Sequence, residues 1–579
     1  MRVTRNVTSK GTSYYIIRSV SGGSTEIVEK LGTESEIKAK YHCEDALAWA
    51  KKRASDLTIR EKESQTKVMV PFRPGVPIPK GEAMSFNIGY LFLQQIYFEL
   101  KIPQLCREIS RRHEFEYDLN EILSRLVYGR ILFPSSKLST CRQSEDLFEK
   151  SSFEYHQVAR ALSVLAEESD HIQAKLYQTS NELVPRKTGV LYYDCTNFYF
   201  ETEQESGNRK YGHSKEHRPN PIVQMGLFMD YSGLPLAMSI TPGNTNEQTT
   251  LLPLEKKILQ DFGAAQFVVC TDAGLSSEEN RRFNNFSSRC FVTTQSIKKL
   301  KKQDKEWCLS PDGWHLPGTK KVFNIAQIIQ DESLHREYYD SIFYKETCIE
   351  GYDEKRDIQF NQTMIVTFSL KYKDYLKNIR SAQVERAQKL LEQGEARINH
   401  RNQNDYRRFI SRKSSTREGK EAAKTTYCID EEAIAEEAMY DGFYAVCTNL
   451  EDDVRDILRI VKNRWEIEES FRIMKSEFSA RPVFLQRDDR ILAHFITCFI
   501  SLLIYRILEK KIGGTYTCSQ IVRTLRNMRV TRAGETGYLP SYTRTDLTDA
   551  LHETAGFRTD YEFLRKKYMQ GVLRRSKCL

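Results

Sequence analysis

Residues 189–201 read GVLYYDCTNFYFE, a run of aromatic side chains with one acid, Asp194, in its middle. That composition marks a central strand buried within a sheet. A carboxylate there is costly unless it is paired, protonated or holding a metal. Two more acids stand in comparable places: Asp272 at the tip of QFVVCTDAG (266–274), and Glu468 beside the apolar stripe of RWEIEESFRIMKSEF (464–478). Two aspartates and a glutamate converging across a sheet form a hard-oxygen set suited to Mg²⁺ or Mn²⁺.

Working outward, PIVQMGLFMD (221–230) and LPLAMSITP (234–242) read as two further strands joined by the turn YSG. A helix follows in TNEQTTLLPLEKKILQDFG, capped by Thr245 or Asn246, and then the strand QFVVC, the helix SSEENRRFNNF and the strand CFVTTQS. Three strands joined by short turns predict an antiparallel meander. The helical crossover then sets the Asp272 strand parallel to the first, making Asp194 and Asp272 neighbours. Lys298 to about Met439 interrupts the sheet with strand-like pieces (KKVFNIAQII, REYYDSIFYK, QTMIVTFSL), a long charged helix and the basic segment NHRNQNDYRRFISRKSSTREGK. A loop of that length without structure is improbable, so an inserted subdomain with β-structure is predicted. The core resumes at GFYAVCTN (442–449), followed by one helix over DVRDILRIVKNRWEIEESFRIMKSEF. Its apolar face is Ile460, Ile467, Phe471, Met474 and Phe478, with Arg464, Glu468, Arg472 and Lys475 as a second stripe.

The flanks differ in character. Residues 1–75 read as a small α/β module, and the Pro-rich VPFRPGVPIPKG (70–81) marks its boundary. Residues 82–185 carry apolar residues at helical spacing and form a helical, DNA-binding candidate domain, with a packing bundle as the plainer reading. The remaining divisions fall at 186–297 and 441–485 for the two parts of the core, 298–440 for the insertion and 486–579 for a helical C-terminal region. At 579 residues the chain exceeds one hydrophobic core. Hydrophobic residues at 40% and charged residues at 28% argue against wholesale disorder. The net charge of +9 is modest, but SIKKLKKQDK (296–305) and FLRKKYMQGVLRRSKCL (563–579) concentrate positive charge in a way that suits a polyanion. The 13 cysteines show no CxxC pair and no zinc spacing, so they read as free thiols of a reducing cytoplasm. No signal peptide is expected at the N-terminus. The apolar run ILAHFITCFISLLIYRIL (491–508) contains His494 and Arg506 and is read as a buried helix, with no membrane partner.

Acids on the first strand, after the fourth and on a late helix match the layout of RNase H-like nucleases and integrases. Arg464, Glu468 and Lys475, within RWEIEESFRIMK, resemble the glutamate-helix motif of bacterial insertion-sequence DDE transposases of the IS-four superfamily type, which carry a β-insertion before the glutamate. YYDCTNFYFE, YGHSKEHRPNPIVQMGLFMDYSGLPLAMSITPGNTNE and VVCTDAGLSSEEN are similar to that subgroup's two aspartate regions. One departure is Val461, where the family motif usually has tyrosine. The implied fold is an RNase H-like α/β core, a mixed five-stranded sheet with helices, interrupted by a largely β insertion and flanked by mainly helical regions. The implied activity is cut-and-paste transposition, with two Mg²⁺ (or Mn²⁺) ions per site held by Asp194, Asp272 and Glu468. Arg464 and Lys475 would bind DNA phosphates, with Arg472, His213, Lys215 and Arg218 as further DNA-binding candidates. The implied partners are double-stranded DNA, as terminal inverted repeats and target, and a second copy of the chain on DNA; the expected location is the bacterial cytoplasm, at the nucleoid.

Each acid also has an ordinary structural explanation. Asp194 suits a hydrogen-bonded core acid, Asp272 a strand-to-helix turn, and Glu468 an i, i+4 salt bridge on a surface helix. A DNA-binding protein that kept the fold without the chemistry, and an RNase H-like nuclease without strand transfer, are the competing functional readings.

Overall fold

The computed structural model describes the whole chain except residues 9–10, 21–23, 42, 66, 263–266, 286–288, 354–356, 393–404, 416–423 and 579. It divides into two compact units. The first comprises residues 1–82, 532–539 and 562–566. In it β1 (Arg2–Thr8), β2 (Gly11–Ser19) and β3 (Thr25–Thr33) form an antiparallel sheet accompanied by α1 (Glu34–Tyr41) and α2 (Ala46–Gln65). Tyr14, Ile37 and Ala46 make its small core.

The second unit holds the rest. It opens with the short strand β4 (Ser85–Asn87), which pairs with residues 529–531. Six helices follow: α3 (Tyr90–Glu99), α4 (Ile102–Arg112), α5 (Leu119–Leu132), α6 (Lys137–Gln143), α7 (Tyr155–Glu167) and α8 (Ser169–Leu183). The predicted meander is next, as β5 (Val190–Tyr199), β6 (Ile222–Asp230) and β7 (Pro235–Pro242), antiparallel in sequence. Then come α9 (Leu251–Asp261), β8 (Val268–Thr271), α10 (Glu278–Phe283) and β9 (Cys290–Gln295). β8 runs parallel to β5, and β9 parallel to β8. The resulting order β7-β6-β5-β8-β9 is the five-stranded mixed sheet of an RNase H-like core.

Side-chain parity on β5 decides what each face does. Leu191, Tyr193 and Cys195 point into a core with Leu251, Leu254 and Ile258 of α9. The alternate residues point the other way: the Tyr192 hydroxyl donates to the Ile460 carbonyl (3.0 Å), and the Phe198 ring packs 4.7 Å from that of Phe495. Asp194 shares this second parity, on the side of the late helices.

The insertion supplies α11 (Lys302–Leu309), β10 (Trp314–His315), β11 (Val322–Phe323), α12 (Ile325–Gln330), α13 (Glu332–Glu337), β12 (Phe343–Asp353), β13 (Ile358–Phe368), α14 (Leu370–Glu392), the hairpin β14 (Ile410–Ser415) and β15 (Lys424–Ile429), and α15 (Glu431–Ala438). Four of its strands extend the core sheet. β16 (Phe443–Thr448) pairs with β9 and with β13, and β12, β10 and β11 follow outward, giving ten strands. KKVFNIAQII is mostly helix rather than strand, because Asn324 accepts the Gln327 N–H (3.1 Å) and starts α12 after two strand residues. Trp314 is fully buried, and its ring and that of the half-buried Trp307 enclose the Lys345 ammonium at 4.6 and 4.7 Å, so Trp314 is a core residue and Trp307 packs against the core. The basic segment 399–420 falls partly outside the described residues.

The helix expected over 453–478 is two: α16 (Val454–Lys462) and α17 (Trp465–Lys475). The break has a local cause: the Asn463 side chain donates to the Tyr231 carbonyl (3.0 Å), tying the junction to the turn between β6 and β7. α18 (Asp488–Lys511) contains the apolar run and is buried almost throughout, packed on α3, α5 and α7. His494 and Arg506 are satisfied inside the protein. His494 Nε2 lies 3.1 Å from the Ala480 carbonyl, burial holds its pKa well below the usual range, and Arg506 is paired with Glu466 and Glu509.

One buried ion pair fastens the meander. Arg186 donates from Nε to Asp230 Oδ2 (2.6 Å), from Nη1 to Ser180 Oγ (2.9 Å) and from Nη2 to the Leu234 and Pro235 carbonyls (both 2.9 Å), with neither charged side chain exposed. Removing one partner strands the other charge, so Arg186→Met is expected to destabilise the protein by about 3–5 kcal/mol in urea denaturation. A loss below about 1 kcal/mol would mean that Asp230 is not held as a buried carboxylate.

Candidate active site

β5 and β8 pair with Val190, Leu191 and Tyr192 opposite Val268, Val269 and Cys270. Carried two residues further, that register sets Asp194 level with Asp272. The Asp194 side chain is half-buried, and the desolvation it suffers there pushes its pKa up to about 6. Lys215 opposes that rise, Asp272 adds to it, and the Cys195 N–H (2.7 Å from Oδ1) and Arg464 oppose it further. Among the described residues no cation lies within ion-pair distance of Asp194 or Asp272. Asp272 is partly exposed and locally fixed: its Oδ1 accepts the N–H groups of Gly274 (2.9 Å) and Leu275 (3.1 Å), an Asx turn at the strand end.

Arg464 joins the three acids. It sits half-buried between α16 and α17, and Asp194, Glu468 and Asp272, in that order, stabilise its charge. Nη2 donates to Glu468 Oε1 at 2.8 Å.

Glu468 departs from the sequence expectation of a buried acid. Its side chain is 56% exposed, because Ile467, Phe471 and Met474 occupy the buried face of α17 and residue 468 turns about 100° away from Ile467. Its neighbours are engaged elsewhere. Glu466 pairs with Arg506 of α18 (3.2 Å), and Glu469 with Arg472 (2.5 Å). Arg472 does not join the acids: it is mostly exposed and faces Glu469, Glu477 and Cys518.

Lys475 does turn toward the site. Burial and the nearby Lys215 lower its pKa to about 8, Asp194 opposes that, and its ammonium lies 5.7 Å from the Phe198 ring centre and 3.5 Å from Glu216 Oε1. Lys215, on the loop between β5 and β6, donates to the Cys195 carbonyl (2.5 Å) and pairs with Glu247 (3.2 Å); its charge is favoured by Asp194 first and then Glu247, against burial. Arg218 lies over the Tyr199 ring at 4.3 Å. His213 is exposed and contributes through its carbonyl, which accepts from Asn197 (3.1 Å). Glu216, Glu247 and Arg481 were not singled out by sequence. Their signal was charge alternation, Lys215 beside Glu216, and the acid in PGNTNE. Asn246 accepts the Gln248 N–H (3.1 Å) and caps only the short 3-10 turn Glu247–Thr249, whereas α9 begins at Leu251 after Thr250 and is capped by neither Thr245 nor Asn246.

Among the described residues, one acid/histidine group has ligand atoms all within 4.8 Å of one another, and it lies elsewhere: Asp549, His552 and Asp560. Its chemistry does not suit a metal. His552 Nε2 accepts the Thr559 N–H (3.1 Å), so the neutral ring carries its proton on Nδ1, the atom facing Asp560, and Arg558 occupies both acids at 2.6 Å. Asp194, Asp272 and Glu468 are wider apart, but they are oxygen donors of the right hardness, and among the described residues neither aspartate has an ion-pair partner. They fit a divalent cation better.

Residues 185–504 match the family model described as Transposase DDE domain, a span that holds all three acids. The chain belongs to this family. It is also similar, at 9% identity over 84% of each chain and with a TM-score of 0.36, to a piggyBac transposase in a synaptic complex with hairpin DNA. No curated protein matches it.

In this transposase the glutamates of α17 separate by stability. Glu468→Gln breaks an exposed i, i+4 pair and is expected to change the unfolding free energy by less than about 0.5 kcal/mol. Glu466→Gln weakens the set around buried Arg506 and is expected to cost about 1–3 kcal/mol. Urea titrations of the two variants check the order, and equal losses would contradict the burial just described.

Proposed function

We propose that this transposase cuts DNA at the ends of its own insertion sequence and joins the freed 3′ ends to a target, by a cut-and-paste route using two Mg²⁺ or Mn²⁺ ions. The observation that carries the proposal is the level placement of Asp194 and Asp272 on adjacent parallel strands, with Arg464 beside both and bonded to Glu468. Asp194, Asp272 and Glu468 would hold the metal. When bound, divalent ions make a water or a DNA 3′-hydroxyl a better nucleophile and stabilise the leaving oxygen.

The protein's own groups do the rest. Asp194 is held by β5 in a half-buried setting, where a charge interacts more strongly than in bulk water. Glu468 is free to leave Arg464, since an exposed pair of this kind contributes little. Arg464 is then available for a bidentate phosphate contact, and Lys475 for a point-charge contact. Joining two ends to one target calls for two protomers, so the working form on DNA is a dimer.

The test uses purified protein and duplexes bearing the inverted repeats that flank its gene. Asp194→Asn, Asp272→Asn and Glu468→Gln are each expected to lower Mg²⁺-dependent cleavage by about a thousandfold or more, a loss of roughly 4 kcal/mol in transition-state stabilisation. Binding of the same duplexes should change by only about threefold, because the phosphate-contacting cations are intact. Full cleavage by any one of these variants would remove that residue from the site. Wild-type protein that binds the ends without ever cutting them would favour a silent DNA-binding protein.

A further inference from the structure

A cation that ends the glutamate helix and another just beyond it converge on a carboxylate brought by a different part of the chain. Glu216 Oε1 lies 3.5 Å from Lys475 Nζ and is also paired with Arg481 Nη1. The floor beneath them is aromatic. Lys475 lies 5.7 Å from the Phe198 ring centre, and Tyr199 has Arg481 at 5.9 Å and Arg218 at 4.3 Å. Two cations therefore meet one carboxylate over the end of β5, and a third, Arg218, shares the Tyr199 ring with Arg481.

The loop carrying Glu216 is built to hold this arrangement. Buried Ser214 accepts the N–H groups of Glu216 (3.4 Å) and Arg218 (3.2 Å) on Oγ, and that of His217 (3.0 Å) on its carbonyl, so the tip is a tight turn. At the stem, Gly212 lies so close to the Gly243 carbonyl that a Cβ would sit 1.9 Å from its oxygen. Lys215 and Glu216 consequently have different partners: Lys215 pairs with Glu247 and is stabilised at longer range by Asp194, and Glu216 pairs with Lys475 and Arg481. On the cation side, the carbonyls of Phe478 and Ser479 are gripped by Arg130 of α5 (3.0 and 3.3 Å), which fixes the backbone between Lys475 and Arg481.

We propose that Arg481 is a DNA-phosphate ligand that acts with Lys475, that Arg218 borders the same subsite, and that the Glu216 carboxylate holds the phosphate's place until DNA enters. This rests on the reading of the protein as a transposase acting on DNA ends. A phosphodiester presents an anionic oxygen as the carboxylate does, and it meets both cations once Glu216 withdraws. Glu216 thereby sets a threshold: DNA must displace an internal anion, which disfavours weakly held duplexes over well-docked ends.

The experiment measures duplex affinity against salt concentration without divalent metal, using an end-bearing duplex and a scrambled one. Arg481→Gln is expected to weaken binding and to flatten the slope of log K against log salt by about one, the signature of one lost phosphate contact. Arg481→Lys, which keeps the charge, should retain the slope and reports whether the site still folds. Glu216→Gln should tighten binding by about twofold to fivefold. That gain should shrink in the Glu216→Gln/Arg481→Gln double variant, since the two act through one contact. An unchanged slope for Arg481→Gln, or unchanged or weaker binding for Glu216→Gln, would overturn the proposal. Failure of wild-type protein to cut end DNA with Mg²⁺, while these slopes shift as stated, would sink the transposition reading and leave the phosphate subsite standing.

Discussion

Two carboxylates set level on neighbouring parallel strands repel each other, and much of the second unit answers that repulsion. Asp194 is partly desolvated, so the repulsion is less screened than in water, and its raised pKa registers both effects. The answer is cations at some distance rather than in direct contact. Arg464 approaches from the α16–α17 junction and Lys215 from the β5–β6 loop, each stabilised by Asp194 without pairing with it. Charge is thereby balanced overall while the carboxylate oxygens stay available to a ligand. The interruption between α16 and α17 serves the same end, because Asn463 bonds to Tyr231 and Arg464 is delivered beside the strand ends.

Helices from both ends of the second unit are unified by α18. Its Phe495 touches Phe198 of β5, its Arg506 takes up Glu466, and its His494 meets the Ala480 carbonyl. A neutral imidazole and a fully paired guanidinium allow a long apolar helix to carry polar residues through a packed interior. α17 is held on its buried side by this contact, which leaves Glu468 on the free side.

Much of the core was legible in the chain because its signals are local and periodic. β5, β6 and β7 alternate or run apolar; β6 and β7 meet at a short turn, while a long loop, residues 200–221, separates β5 from β6. One helical crossover forces β8 parallel to β5, so the two aspartates could be placed side by side from order alone. Glu468 was legible as a motif residue but not in its exposure, since a stripe edge is resolved only when the helix docks on α18. The break at Asn463 depends on a carbonyl far away in sequence, and helical periodicity runs through it unmarked. Glu216 and Arg481 escaped notice for the same reason: their meaning lies in a contact between distant segments. The two-residue strand before α12 was overread because KKVFNIAQII has β-branched content and a single asparagine decides where the helix begins.

The insertion is a continuation of the sheet, and this has a bearing on how the chain is made. After β9 has formed, its outer edge has no neighbour until β16 arrives, and β16 leaves the ribosome only after the whole insertion has been synthesised. Through that interval the nascent core presents an open row of unpaired backbone N–H and C=O groups, the kind of edge that recruits foreign strands. Trimming the protein to its five-stranded centre would expose the edge of β9 permanently, and removing the insertion alone would move the exposed edge to β16, whose outer side is covered by β13, so the insertion is a wall of the sheet as much as an addition to it.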